Sequence, residues 1–232
     1  MKLNQRQEDI LKVLRENGQV RTVSLAKKLY ASEMTIRRDL KFLEDEGLLT
    51  RCHGGALPIG NQLFFPIKYR MLINDKEKKS LCADAKKFLR DDITIFFNSS
   101  STCAYLVPLL KDFKNIKVIT NSIYLVSLLS PLHIPCTVTG GEYNESEDCL
   151  YGSCTEDFLR EIHPDIAFLS CEGLSSELEI TESQRSMAQI AKIAVKNSKL
   201  AVFLMDSTKI SSEYSHSVCR CDECENVVVI TK

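Results

Sequence analysis

The sequence predicts an α/β protein in two parts, an N-terminal winged helix-turn-helix followed by a larger α/β domain with a mostly parallel sheet. Three observations predict it. Between Ser32 and Glu46, Ile36, Leu40 and Leu43 recur at i, i+4 and i+7 behind a shorter amphipathic segment carrying Leu25, Ala26 and Leu29. A glycine-rich turn, Cys52-His53-Gly54-Gly55, follows between two short extended runs. Beyond residue 90, short apolar runs alternate with helical patterns, the arrangement of parallel strands joined by crossover helices.

The first helix is expected over Asn4–Glu16, with Ile10, Leu11 and Leu14 facing inward and Asn17-Gly18 ending it. Ser32 is a good N-cap for the long helix of the reader, and Gly47 stands where a glycine ends one. At 100° per residue the side opposite Ile36, Leu40 and Leu43 carries Thr35, Arg37, Arg38 and Lys41, a cluster of donors with Asp45 alone to offset its charge. On an isolated helix such a side is a solvated face. Behind a tight Tyr30-Ala31 turn and a partner helix it suits the phosphate-lined groove of DNA, where Arg bridges guanine and Lys or Thr holds phosphate or a base edge. Ser24, Ser32, Thr35, Arg37, Arg38 and Lys41, with Arg51 and His53 on the wing, are therefore the candidate DNA contacts.

Pro58 to Pro66 has no helical periodicity, and Phe64 and Phe65 are expected to dock it on a neighbour. The expected domains are 1–58 as reader, 59–73 as linker and 74–232 as an effector-sensing and oligomerisation unit. A helix opens near Asn74 or Asp75, with Leu81, Ala85, Phe88 and Leu89 on one stripe. Strands are expected at 93–97, 117–120, 136–139, 166–170, 200–205 and 227–231, and helices at 102–110, 123–129, 155–162 and 183–197.

Ligands of open parallel sheets sit beyond the carboxyl ends of the strands, and there this sequence turns polar. The first strand runs into Asn98-Ser99-Ser100-Ser101-Thr102, a row of hydroxyls and amides opening a helix, which suits an anion. Others end in Thr120-Asn121-Ser122, Gly140-Gly141-Glu142, Ser170-Cys171-Glu172-Gly173 and Asp206-Ser207-Thr208-Lys209. Each alone is an ordinary cap or turn; together they read as a pocket for a phosphate and sugar hydroxyls, with Lys78, Lys192 and Lys209 as counter-charges.

Composition bounds the function. Of 232 residues, 44% are hydrophobic and 26% charged, and no apolar run has the roughly 18 residues of a membrane span. The polar start lacks the apolar core of a signal peptide, so a cytoplasmic location is expected. Residues 1–58 hold 11 basic and 8 acidic side chains, a balance of +3, in a chain whose net charge is −1. Ten cysteines in a chain of this kind are expected as reduced thiols, with Cys82, Cys103, Cys136 and Cys171 packed as small hydrophobes. His216, Cys219, Cys221 and Cys224 offer soft ligands, but their spacing matches no usual zinc arrangement, and packing is the preferred reading over metal or redox sensing. No P-loop, nucleophile elbow or zinc-hydrolase motif is present, and no catalytic residue, metal site or cofactor is expected.

The stretch MTIRRDLKFLEDEGLLTRCHGGA resembles the signature of DeoR-type bacterial transcriptional regulators, whose pattern combines TIRRDL, LE..G and R.HGGA. The resemblance continues through Arg70, Asn74, Glu77 and Lys78, which are similar to the R...N..EK entry of that family's sensor, a domain related to the ribose-5-phosphate isomerase fold. It implies a repressor of a carbohydrate operon that binds a double-stranded DNA operator as a homo-oligomer, a dimer or a tetramer, and responds to a phosphorylated sugar. It carries over Lys78, Asn98 to Thr102, Thr120-Asn121, Gly140-Gly141, Gly152, Lys192 and Asp206 to Lys209 as sensor positions. The chain departs from the family at Tyr30, where a small turn residue is usual, at Asp92, where glycine is, and at Asn98-Ser99-Ser100-Ser101-Thr102, where DSGTT is. Competing readings are a sugar-phosphate isomerase and a DNA-binding protein without a small effector.

Overall fold

A computed structural model describes residues 3–58, 67–145 and 147–232 and divides the chain into two compact units, 1–73 and 74–232. Most of the expected linker, with Phe64 and Phe65, lies outside the described residues.

In the first unit, α1 (Gln5–Asn17) starts in a capping box between Asn4 and Gln7 and ends at Gly18, which at φ 65° turns its amide onto the Leu14 carbonyl. Strand β1 (Val20–Arg21) leads into α2 (Thr22–Lys28), and after the turn comes α3 (Glu33–Asp45), capped by the Ser32 hydroxyl on the Thr35 amide. Tyr30 forms that turn with φ 50°, a left-handed conformation that explains why a small residue suits the position. Strands β2 (Thr50–Cys52) and β3 (Gly55–Leu57) make the wing, and β3 lies between β2 and β1.

The wing corrects one reading. Cys52 pairs with Gly55, so the two-residue loop is His53-Gly54 rather than a Gly-Gly turn. Gly54, at φ 82°, supplies the turn, whereas Gly55 lies in the strand where a Cβ would run into the carbonyl of Val20. Its role is close strand packing.

Ile10, Leu11 and Leu14 meet Leu25, Ile36, Leu40 and Leu43 in a core sealed by Leu48, Leu49 and Ala56. Arg6 Nε donates to Asp39 Oδ2 at 2.5 Å and Gln7 donates to Asp39 Oδ1 at 3.3 Å, fastening α1 to the inner side of α3. Residues 67–73, expected as linker, instead contain α4 (Ile67–Arg70), and Tyr69 is buried in this same core with Leu72 and Ile73 against it. One aromatic and two aliphatic side chains hold the segment down.

The second unit opens with α5 (Asp75–Ala85) and is built on a six-stranded parallel sheet. In chain order its elements are β4 (Thr94–Phe97), α6 (Ser101–Ala104), β5 (Lys117–Thr120), α7 (Ile123–Leu129), β6 (Cys136–Val138), the hairpin β7 (Glu142–Asn144) and β8 (Cys149–Tyr151), and α8 (Ser153–Arg160). Then follow β9 (Ile166–Leu169), β10 (Gly173–Leu174), β11 (Glu179–Glu182), α9 (Arg185–Asn197), β12 (Leu200–Met205), β13 (His216–Arg220) and β14 (Val227–Thr231). The expected strands all occur within a residue at either end, and their spatial order is β14-β12-β9-β4-β5-β6. Phe96, Phe168, Phe203 and Ala167 are fully buried, as strands covered on both faces require.

Two parts were not read from the sequence: the β7–β8 hairpin, and a second sheet of order β10-β11-β13. Their strands have two to five residues, too few for a period to register. The helix expected over 102–110 stops at Ala104 and resumes as a 3₁₀ segment at Val107–Asp112, where Pro108 cannot donate to a preceding turn. Asp92, like Tyr30, is left-handed at φ 58°, which accounts for glycine being usual there.

Candidate functional site

The reader presents its donors outward. Arg37, Arg38 and Lys41 are exposed along α3, and Ser24, Ser32, Arg51 and His53 are exposed around it, with Thr35 half-buried. Their engagements differ. Ser32 and Thr35 hold each other at the N-cap, their hydroxyls 2.9 Å apart. Arg37 reaches Glu33 at 3.6 Å and Arg51 reaches Glu44 at 3.6 Å, exposed pairs that water and phosphate readily replace. Arg38 and Lys41 have no ion-pair partner among the described residues. They are the cations most ready for phosphate or a base edge.

In the larger unit the chain order reverses direction between β4 and β9: from β4 the sheet grows through β5 to β6 on one side, and through β12 to β14 on the other. Such a switch point parts the two crossover loops and is where ligands of open α/β sheets bind. The residues following β4 and β9 are Asn98 and Ser170, and they clip the switch shut. Asn98 Nδ2 donates to the Ser170 carbonyl at 2.9 Å, and the Ser170 amide donates back to Asn98 Oδ1 at 3.3 Å. An amide does both, whereas a carboxylate cannot donate. Asn98, expected as an effector contact, is occupied as a strand clamp.

The serine loop is likewise engaged internally. Ser100 has φ −103°, so its Cβ meets no left-handed strain, and its hydroxyl accepts from the amides of Thr102 and Cys103. Those two donors of the four-residue α6 are thus consumed internally. What faces the loop is charge. Lys78, only 3% exposed, donates to Ser101 Oγ at 3.1 Å, and Lys209 donates to Ser170 Oγ at 2.6 Å. Asp206 lies beside both. Burial pushes its carboxyl up, but Lys209, the Thr208 hydroxyl, Lys78 and the Asn74 amide outweigh that and hold it below the usual aspartate range.

Fully buried polar atoms close by lack partners. Thr102 Oγ1 and Asn121 Oδ1 make no hydrogen bond among the described residues, although Asn121 Nδ2 donates to the Leu150 carbonyl at 2.9 Å. Buried acceptors left unsatisfied are costly, and a bound molecule with donors relieves them.

Sequence reasoning missed Glu182. It is buried at the end of β11 beside Cys171, Glu172, Glu147 and Lys209, and burial together with the Glu172 charge raises its pKa to about 8. The sequence carried no clear sign of it, since β11 has only four residues and three of them are buried.

Other expected positions are placed elsewhere. Lys192 is exposed on α9 in a shallow groove with Arg160, Gln189 and Lys196, away from Lys78 and Lys209. The helical register that buries Ile190, Ala191 and Ile193 turns Lys192 to solvent. Gly140, Gly141 and Gly152 are explained by packing. At Gly141 a Cβ would collide with the Tyr151 carbonyl and the Thr155 hydroxyl, and Thr155 Oγ1 donates to the Gly140 carbonyl at 2.6 Å.

All ten cysteines are free thiols. Cys82, Cys103 and Cys171 are buried, whereas Cys136 is half-buried. Burial and the neighbouring Cys221 and Cys224 push Cys219 up to about 12, the opposite of a reactive thiolate. Among the described residues no group of three or more His, Cys, Asp or Glu side chains is arranged to hold a metal ion, and no helix is long and apolar enough to cross a membrane.

The fold and this geometry define a regulator with a DNA reader and a sensor, and comparison with known proteins gives the family. A DeoR-like helix-turn-helix domain matches residues 6–62 and the DeoR C-terminal sensor domain matches residues 73–230. The chain belongs to the DeoR family of transcriptional regulators.

The L-fucose operon activator of Haemophilus influenzae is 32% identical over 89% of this chain and 84% of its own length. The lactose phosphotransferase system repressor of Lactococcus lactis is 32% identical over 90% and 84%. The glycerol-3-phosphate regulon repressor of Escherichia coli is 24% identical over 90% and 83%. Among solved structures, a ribose-5-phosphate isomerase in complex with phospho-erythronic acid aligns with TM-score 0.44 and 20% identity over 59% of this chain and 54% of that one.

Proposed function

We propose that this regulator represses a carbohydrate-utilisation operon and that a phosphorylated sugar, bound at the β4–β9 switch point, sets its affinity for the operator. The observation that carries this reading is the pair Lys78 and Lys209, two ammonium groups held at the carboxyl ends of parallel strands, Lys78 donating to the Ser101 hydroxyl and Lys209 to the Ser170 hydroxyl. A phosphate is a far stronger acceptor than a neutral hydroxyl, so a ligand exchanges these internal bonds for charge-assisted ones. Because Ser101 opens α6 and Ser170 follows β9, that exchange loosens contacts on both sides of the switch point. The names of the relatives support a sugar or polyol phosphate context, and they include an activator as well as repressors.

On the DNA side, Arg38 and Lys41 enter a major groove from α3 while Arg37, Arg51, His53, Ser24 and Thr35 hold backbone or base edges. A homo-oligomer working in the cytoplasm presents two readers to half-sites one helical turn or a multiple apart. The effector acts by its difference in affinity between two states of the sensor.

The test selects a binding site from random double-stranded DNA and then measures its dissociation constant with and without sugar phosphates and the matching unphosphorylated sugars. The reading expects a shift of about tenfold or more with a phosphorylated sugar only. An operator affinity indifferent to every phosphorylated sugar, in a protein that binds DNA specifically, overturns the effector part.

A further inference from the structure

A cavity of about 750 Å³ opens at the end of the parallel sheet where β4, β5 and β6 begin, lined by Thr94 of β4, Lys117 of β5 and Pro135, which precedes β6. Lys78 and Lys209 meet Ser101 and Ser170 past the other ends of the strands. A four-residue strand such as β4 advances about 13 Å, so the two places are separate. The volume falls within the range of small-molecule sites, about 300–1,000 Å³.

The lining divides by chemistry. Its apolar part has Ile93, Leu110 and Ile116 buried and Phe113, Leu132 and Ile134 half-buried. Lys111, Lys117, His133, Asp92 and Asn115 line it as exposed side chains. Asp92 Oδ1 accepts from Asn115 Nδ2 at 2.8 Å, whereas Lys111 and Lys117 form no ion pair among the described residues. Neighbouring carboxylates are already engaged: Asp91 Oδ1 accepts from the Lys114 amide at 2.8 Å, and Asp112 Oδ2 accepts from Lys86 Nζ at 2.7 Å. The lining thus carries two ammonium groups and one carboxylate, an excess of positive charge beside an apolar wall. Asp92, Asn115 and His133 take φ 58°, 55° and 54° just before β4, β5 and β6, so three left-handed turns set these side chains at the cavity.

We infer that this cavity is a second ligand site and that it takes an organic anion with an apolar body, of the aromatic-carboxylate kind, its charge on Lys111 and Lys117 and its body against Phe113, Leu132 and Ile134. A neutral apolar molecule leaves both ammonium groups without an acceptor, and a cation meets them as like charges. A bare inorganic anion leaves the apolar wall in water. The inference goes beyond the sugar-phosphate reading and stands without it, since the cavity shares no residue with the Lys78 and Lys209 contacts.

The experiment titrates the full chain with anilinonaphthalene sulfonate, whose sulfonate stands in for the carboxylate, and with N-phenylnaphthylamine, the same rings without the charge, and reads dye fluorescence. The sulfonate is expected to bind about tenfold or more tightly than the neutral dye. Lys111→Glu together with Lys117→Glu is expected to erase that preference at an unchanged melting temperature. Equal affinity for the two dyes, or no binding of the sulfonate, overturns the inference on the unaltered protein. A preference that survives in the folded double variant puts the dye elsewhere and overturns it as well. If the double variant fails to fold, Lys117→Gln alone carries the test: the preference is expected to fall about threefold, and an unchanged preference overturns the assignment.

Discussion

The two units handle their polar recognition groups in opposite ways. In residues 1–73 the donors stand outside: Arg37, Arg38 and Lys41 are exposed on α3, beneath which Ile36, Leu40 and Leu43 are sealed from solvent. In residues 74–232 they stand inside: Lys78, Asp206, Thr102 and Asn121 are buried, with Lys78, Asp206 and Asn121 Nδ2 bonded to nearby side chains or loops. The difference follows from the partner. A polyanionic duplex is met as a surface and rewards long, solvated cations, whereas a small ligand is met in a crevice where every charge must be answered before the ligand arrives. The reader's cations therefore stand free of the fold, whereas Lys78 and Lys209 in the larger unit are already bonded inside it.

The largest effect expected from breaking this arrangement is in the reader's scaffold. Gly55→Val puts side-chain atoms where the Val20 carbonyl lies, so β1 and β3 cannot pair as they do. A loss of about 3 kcal/mol of stability is expected, with specific DNA binding lost through the wing. Thermal unfolding together with DNA binding would check it; a wild-type melting temperature would show that the strands separate at no cost. Next is Arg38→Ala, which removes an unpaired cation and leaves the core of α3 untouched. It should weaken binding to the selected operator by about 1–3 kcal/mol with no change in melting temperature or in sugar-phosphate binding. Loss of all three together would mean misfolding instead.

The sensor's counterpart is electrostatic. Glu182 has a folded-state pKa raised from 4.5 to about 8, so its contribution to stability is fully present below 4.5 and is lost as pH rises through about 8. Asp206 has the opposite sign, its folded pKa being depressed, so its contribution is present above the ordinary aspartate value and is lost only in acid. Between pH 4.5 and 8 the Glu182 trend stands alone of the two, and melting temperature should fall across that window. Glu182→Gln should flatten the slope. A slope unchanged in the variant would remove Glu182 as its source.

How much could be read from the sequence follows the same division. The reader's helices declare themselves because one apolar face and one basic face recur at 3.6 residues, and Thr35, Arg38 and Lys41 fall on the outward side by arithmetic. The parallel strands declare themselves as apolar runs such as Ile95-Phe96-Phe97 and Val202-Phe203-Leu204. The sensor's pocket does not, because a Ser or Asn at a strand end looks the same whether it meets a ligand or a neighbouring strand. Ser100 proved to be a cap, Asn98 a clamp and Gly141 a packing contact, and each of these roles depends on a residue distant in the chain or on the local backbone. Lys192 was expected as a counter-charge from the polar strand ends and from the resemblance, and the helical register of α9 turns it outward. Glu182 lay in a four-residue strand and pairs with His216 of β13, more than thirty residues later.

The smallest effect tests whether a side chain at the edge of the reading face serves DNA or the fold. Ser32 accepts from the Thr35 amide at 3.2 Å, and its hydroxyl lies 2.9 Å from that of Thr35, so both are engaged before any DNA arrives. As an N-cap, Ser32→Ala should cost about 1 kcal/mol of stability. If capping is the whole of its work, operator affinity measured well below the melting temperature should stay close to that of the unaltered protein, and Ser32→Asp, which also caps, should restore stability. The aspartate also makes the contrast sharper, because it places a negative charge beside the backbone phosphates. Restored stability with weakened binding would put position 32 within reach of DNA, whereas restored stability with unchanged binding would assign Ser32 to the helix alone and leave the reading to Arg38, Lys41 and their exposed neighbours.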